Sequence, residues 1–203
     1  MPLPQEWASP EDFATLFQYF WHRDFPVGGG PRAVGARRSD WTIHTGVVVR
    51  NIGDLMGLWT RFESGRRTDA VLRSGEGDEI AVEWEWQGIW NQNELNKLKD
   101  YKVWSREKEN HRPLKYSVLI TYTHPPDIEK VHNHVEEEWA GARWPLLLIL
   151  IDVEESDKFL SGKEFINLNM SLFESGGQRA FLRSAPAFPW NVGSSRWRVL
   201  SPE

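Results

Sequence analysis

The sequence predicts an α/β protein with a mixed central β-sheet flanked by helices. Three observations carry that prediction. Residues 116–123 (YSVLITYT) and the run WPLLLILIDV are short and strongly apolar, as in strands buried on both faces. Residues 66–86 form two strand-like runs around a turn-rich loop, a hairpin pattern. Helical patterns fall before and between these strands, giving the order helix, strand, strand, helix, strand, helix, strand.

The elements follow in chain order. Ser9 is a natural N-cap, Pro10 suits the first helical position and Asp12 the first turn, so a helix is expected over Pro10–Arg23. Phe13, Phe17 and Phe20 space as its buried stripe. PVGGGPRAVGARR (26–38) has the composition of a mobile arm. Ser39 or Asp40 then caps a helical pattern reaching about Phe62, with Val48, Ile52, Leu55, Met56 and Trp59 at helical spacing. Gly46, Gly53 and Gly57 each cost that helix up to about 1 kcal/mol and signal either close packing or a break.

In the hairpin, a symmetric closure of the loop Ser74–Asp78 pairs Arg73 with Glu79, Val71 with Ala81 and Asp69 with Glu83. Val82, Trp84 and Trp86 then line the opposite, core-facing side. A helix is expected over about 91–104, the strand 116–123, a helix over about 127–140, and the strand WPLLLILIDV (144–153). The chain reads as one domain, 1–203: an N-terminal helix and arm (1–38), a core (39–160) and a basic C-terminal extension (161–203). Within the extension, 164–173 alternates as one more strand or an edge hairpin.

Composition narrows the function classes. Apolar residues make up 40% of 203 residues, enough to offset chain entropy, so intrinsic disorder is excluded. The chain has no cysteine, which excludes disulfides, zinc–thiolate sites, iron–sulfur clusters and thiol nucleophiles. The opening residues MPLPQEWASPEDF carry neither a basic region nor an apolar run, so no secretory signal is expected. The longest apolar run is far short of the about 20 residues that span a bilayer. A cytoplasmic protein with no membrane contact is the expectation. The net charge is −5, but the cations cluster: Arg179, Arg183, Arg196 and Arg198 lie in a stretch without an acid, as do Arg37 and Arg38 at the end of the arm. One positive face for nucleic acid is one reading, and helices carrying mixed surface charge is the other.

The hairpin holds the chemistry. In its symmetric register Asp69 stands opposite Glu83, and Glu85, two residues on, points the same way with Arg67 as its partner. Like charges set directly opposite destabilise a sheet. A proton shared between carboxylates or a divalent cation relieves the repulsion. A solvated hairpin face, with its register shifted to separate the acids, is the alternative.

With Asp69 on one strand, Glu83 on the next, and a helix and further strands following, the sequence resembles the PD-(D/E)xK, or restriction-endonuclease-like, nuclease superfamily over roughly residues 40–153. Glu85 occupies the motif's lysine position, a departure that matches an ExE variant. Some members supply the lysine from the following helix, where Lys97 and Lys99 stand. Some carry Gln-x-x-x-Tyr there, which this chain matches only at Tyr101. The upstream helical glutamate of many members corresponds to Glu63. The resemblance implies a mixed sheet between helices and a metal-dependent nuclease acting on DNA. Mg²⁺ or Mn²⁺ would be held by Asp69, Glu83 and Glu63. Glu85, Lys97 and Lys99 would join Asp69 and Glu83 as catalytic candidates. Arg37, Arg38, Arg67, Tyr101, Arg179, Arg183, Arg196 and Arg198 would contact the DNA, and restriction-type members often form homodimers. The departure at Glu85 keeps a second expectation open: a nuclease-like scaffold that binds DNA or a protein without cleaving.

Other motifs weigh less. His132-Asn133-His134 lies in a helical repeat (Val131, Val135, Trp139), and on a helix residues two apart point about 200° apart, so the two histidines cannot share a ligand. His132 and Glu136, four apart, could still bind one ion. The 12 tryptophans raise a third function class, a carbohydrate-binding module, but most fall on expected apolar faces, Trp59, Trp84, Trp86 and Trp139 among them. Trp190 and Trp197, among arginines, could stack on bases or simply pack.

Overall fold

The first helix begins where its cap predicts. In the computed structural model, which describes residues 8–25, 38–64, 68–86, 89–91, 94–106, 112–155 and 163–189, α1 spans Pro10–Arg23. The Ser9 hydroxyl accepts the Asp12 N–H at 3.1 Å, and the Asp12 carboxylate accepts the Ser9 N–H at 3.3 Å, a reciprocal capping box. Phe13, Phe17, Phe20 and Trp21 are its buried face.

α2 spans Arg38–Leu55 and does not reach Phe62. Gly57 takes the left-handed region (φ 69°) and turns the chain back on itself into β1, Trp59–Ser64. A side chain at Gly53 would run into Thr60 and Leu72 of the strands beneath. The glycines therefore mark both a close packing and a break. Trp59, expected on the apolar face of a helix, stands instead on an edge strand, two-thirds exposed.

β2 (Thr68–Arg73) and β3 (Asp78–Glu85) complete an antiparallel meander with β1. The expected register holds at Val71↔Ala81, flanked by Ala70↔Val82 and Leu72↔Ile80. It slips at the turn, where a bulge pairs Arg73 with Asp78 rather than Glu79. The Asp78 carboxylate explains the slip: it takes Arg73 at 2.6 Å, the Tyr101 hydroxyl at 3.0 Å and the Trp104 N–H at 2.8 Å.

α3 is only Glu94–Lys99, much shorter than the expected 91–104. β4 (Tyr116–Thr123) lies parallel beside β3, and β5 (Leu146–Glu155) parallel beside β4, with α4 (Ile128–Trp139) between them in sequence. β6 (Lys163–Phe173) and β7 (Arg179–Pro186) then extend the same sheet antiparallel. Among the described residues, the segment expected to decorate the core supplies two of the seven strands, in the spatial order β1-β2-β3-β4-β5-β6-β7.

β5 shows why the sheet needs helices on both sides. Leu147, Ile149 and Ile151 face α1 and α2, together with Trp21, Trp41 and Phe165. Leu146, Leu148 and Leu150 face α3 and α4, with Trp139 and Trp144. Every one of these side chains is buried, as period-two alternation in a doubly covered strand requires. Among the described residues no helix is long and apolar enough to cross a membrane.

Candidate functional site

Asp69 and Glu83 lie on the α3 face, at the end of the sheet where parallel strands β3 and β4 finish. Extending the β2–β3 register by one residue sets them opposite each other. The Asp69 carboxylate accepts the Trp84 N–H at 2.8 Å, so a side chain takes over from the backbone ladder just past the pair Ala70↔Val82. Glu83 is 1% exposed and its Oε1 has no hydrogen-bond partner. Burial, reinforced by the charges of Asp69 and Glu94, pushes the Glu83 carboxyl up to about 10. Burial also raises Asp69, which shares a hydrogen bond with Glu83. Burial therefore favours a proton on the pair over two charges, and it takes Glu83 off the solvated face of the alternative reading.

α3 lies over these acids and brings two charges. Lys97 Nζ donates to both oxygens of Glu94, at 2.7 and 2.6 Å. Burial pulls Lys97 down, but Glu94 together with Glu83 and Asp69 outweighs it and holds the ammonium above its ordinary value. Glu94 is buried, and its charge acts on both Asp69 and Glu83. Glu94 is not among the residues the sequence singles out; the signal for it is Glu-x-x-Lys, which places the two on one helix face.

The other expected residues divide. Glu85 is half-buried on the same strand face as Glu83, and its backbone carbonyl accepts the Thr121 hydroxyl at 2.9 Å. Glu63 is on a strand, not a helix: β1 brings it opposite Asp69 between the pairs Phe62↔Ala70 and Ser64↔Thr68, exposed and with φ 49°. Lys99 is drawn away from the acids; its Nζ donates to the carbonyls of Glu138 (2.6 Å) and Ala140 (3.3 Å) at the C-terminus of α4. Tyr101 lies beyond the end of α3, buried, with its hydroxyl donated to Asp78, so it shares no helix face with Lys97 and offers no surface to DNA.

Arg179 is held between Glu129 (3.2 Å) and Glu136 (3.4 Å) of α4. Arg183 donates to Gln18 of α1 at 3.2 Å. One of the two sequence readings puts both arginines on a single basic face. A bulge between Met170 and Ser171 sends them to opposite sides of the sheet, Arg179 opposite Phe173 and Arg183 opposite Met170. Arg38 opens α2, but its side chain lies outside the described residues, as do Arg37, Arg67, Arg196, Arg198, Trp190 and Trp197. The His132–Glu136 ion site is not formed: His132 is buried with Nδ1 toward Glu129 at 3.5 Å, while Glu136 pairs with Arg179.

The chain matches no family model and no curated protein. Among the described residues no group of three or more His, Asp or Glu side chains is arranged to hold a metal ion as the side chains stand. The donor set nevertheless fits Mg²⁺ or Mn²⁺: hard carboxylate oxygens, one of them buried and unpartnered on a group forced to carry a proton. A divalent cation would replace that proton, and Mg²⁺ binds through as few as one or two carboxylates while keeping its waters.

Proposed function

We propose that this chain is a metal-dependent nuclease that hydrolyses phosphodiester bonds of DNA, with a restriction-endonuclease-like core. The observation that carries the reading is the pairing of buried Glu83 with half-buried Asp69, with the Lys97 ammonium beside them, on adjacent strands followed by a helix. Asp69 and Glu83 would hold Mg²⁺ or Mn²⁺, with Glu63 alongside. The metal, when bound, polarises the scissile phosphate and lowers the pKa of a coordinated water. Lys97 supplies fixed positive charge toward the oxygens that become more negative in the transition state. Glu94 keeps that ammonium in place through two short hydrogen bonds. Glu85 takes the position of the motif lysine and serves as proton acceptor or as an additional carboxylate ligand. The same reading places the protein in the cytoplasm with DNA as its partner, and its likeness to restriction-type members extends it to a homodimer.

One observation favours a second reading, a nuclease-like scaffold without cleavage: the Lys97 ammonium is already neutralised by Glu94. Calorimetric titration of Mn²⁺ into the protein separates the two. The nuclease reading expects saturable binding that disappears in Asp69→Ala/Glu83→Ala. The scaffold expects no metal binding, retained DNA binding in that variant, and a more stable fold once the carboxylate repulsion is removed.

A further inference from the structure

Two tryptophans lie open to solvent on the α3 side of the sheet edge, and nothing in the reading above uses them. Trp59 of β1 is 67% exposed, and Trp104 is 48% exposed. Trp59 is the direct cross-strand partner of Arg73, so both point to the same face. The Arg73 guanidinium lies 4.4 Å from the centroid of the Trp104 ring and is itself anchored by Asp78 at 2.6 Å. That arrangement props the indole as a fixed plate instead of a free side chain.

Cations are interleaved with the rings. The segment carrying Trp104 pairs antiparallel with the hairpin turn through the bridge Gly77↔Ser105 and the bond from Arg106 N–H to the Glu76 carbonyl at 2.8 Å. Along it Lys102, Trp104 and Arg106 are exposed, while Tyr101 and Val103 turn inward. On β1, exposed Arg61 shares the face of Trp59. Glu63 is the one acid at the site end of that strand face, and Glu76 beneath the turn is paired with Arg112 at 3.2 Å. Three exposed cations and two open indoles thus lie along one edge, with the exposed acids Glu63, Glu76 and Asp100 among them.

The patch leads to the candidate site. Arg61 stands opposite Val71, two residues from Asp69 on the same strand face, or about 7 Å. Trp59 and Arg73 are two residues further, about 13 Å from Asp69. We propose that Trp59, Trp104, Arg61, Lys102 and Arg106 form a stacking platform for single-stranded nucleic acid, which leads the strand toward Asp69 and Glu83. Indole plates need unpaired bases, because a duplex keeps its base faces stacked inside, and interleaved cations follow the phosphates. The proposal deepens the nuclease reading and rests on it only for the fate of the bound strand.

The test separates binding from cleavage. Anisotropy of a labelled oligothymidylate of about 20 nucleotides, in EDTA, reads the platform without metal. Wild type should bind it at least tenfold more tightly than a duplex of equal length, with quenching of tryptophan fluorescence. Trp59→Ala and Trp104→Ala should each weaken binding about tenfold. Trp59→Phe/Trp104→Phe should restore most of it, and Arg61→Ala/Lys102→Ala/Arg106→Ala should flatten the salt dependence. Because both indoles are exposed, these variants should melt as wild type does; if an alanine variant does not, the phenylalanine and charge variants decide. No binding in EDTA, binding indifferent to the tryptophans, or equal affinity for duplex overturns the platform. Intact binding without cleavage in Mn²⁺ overturns only the nuclease reading, and cleavage without this binding overturns only the platform.

Discussion

Replacing Glu83 by Gln converts the buried carboxyl into a permanently neutral group of the same shape. The Glu83 carboxyl rises from 4.5 to about 10 because burial and the neighbouring acids Asp69 and Glu94 oppose its charge. In the unfolded chain it ionises at its ordinary value, while the folded protein keeps the proton. Above about pH 5 the native state therefore binds one more proton than the unfolded state, and stability falls as pH rises toward 10, by up to about 1.4 kcal/mol per pH unit. Across pH 6 to 9 that is a ceiling of about 4 kcal/mol, reduced to the extent that Asp69 shares the proton. Urea unfolding of both proteins at each pH, without metal, gives the difference directly. The Gln variant should gain on wild type steadily as pH rises. Parallel stability curves would refute the reasoning, since they would mean that Glu83 is charged and solvated in the native protein.

The remaining predictions concern single contacts. Lys97→Met should reduce Mn²⁺-dependent cleavage at least about hundredfold, whereas Lys99→Met should leave cleavage within twofold and lower stability by about 1 kcal/mol through the lost cap on α4; steady-state cleavage and urea unfolding read the two. Gly53→Ala would normally favour a helix, but here its Cβ meets Thr60, Leu72 Cδ2 at 3.0 Å and the Leu58 carbonyl at 3.3 Å, so a loss of about 1–3 kcal/mol in urea unfolding is expected. Burial lowers His44 to about 4, and its Nε2 is unpartnered among Trp21, Phe25 and Trp41. The unfolded chain takes up that proton first, so stability present above pH 6.5 is lost as pH falls toward 4, by up to about 1.4 kcal/mol per unit; His44→Gln should flatten that part of the pH–stability curve.

What could be read in the sequence was local or doubly constrained. β4 agrees with its expected limits and β5 closely so, because a strand covered on both faces is a short, predominantly apolar run. α1 follows from a capping box contained within four residues. The central hairpin register, and with it the Asp69–Glu83 pair, follows from loop symmetry. The failures depend on contacts distant in sequence. The slip at Arg73↔Asp78 is held by Tyr101 and Trp104, more than twenty residues away. The stop of α2 needs the left-handed turn at Gly57, which helical spacing through Trp59 concealed. One extra residue in β7 separates Arg179 from Arg183, and no periodicity announces a bulge. Lys97 and Lys99 looked equivalent until α4 was in place to take Lys99 as its cap.

The central claim is that Asp69 and Glu83, with Lys97 beside them, form a metal-dependent centre for phosphodiester hydrolysis. Incubating the purified protein with supercoiled plasmid, with Mn²⁺ or Mg²⁺ and in parallel with EDTA, tests it most directly, beside Asp69→Ala/Glu83→Ala. The account predicts nicked or linear plasmid only with metal and only with the two acids present. Uncut plasmid at every metal concentration, or cutting that persists in the double variant, would contradict it.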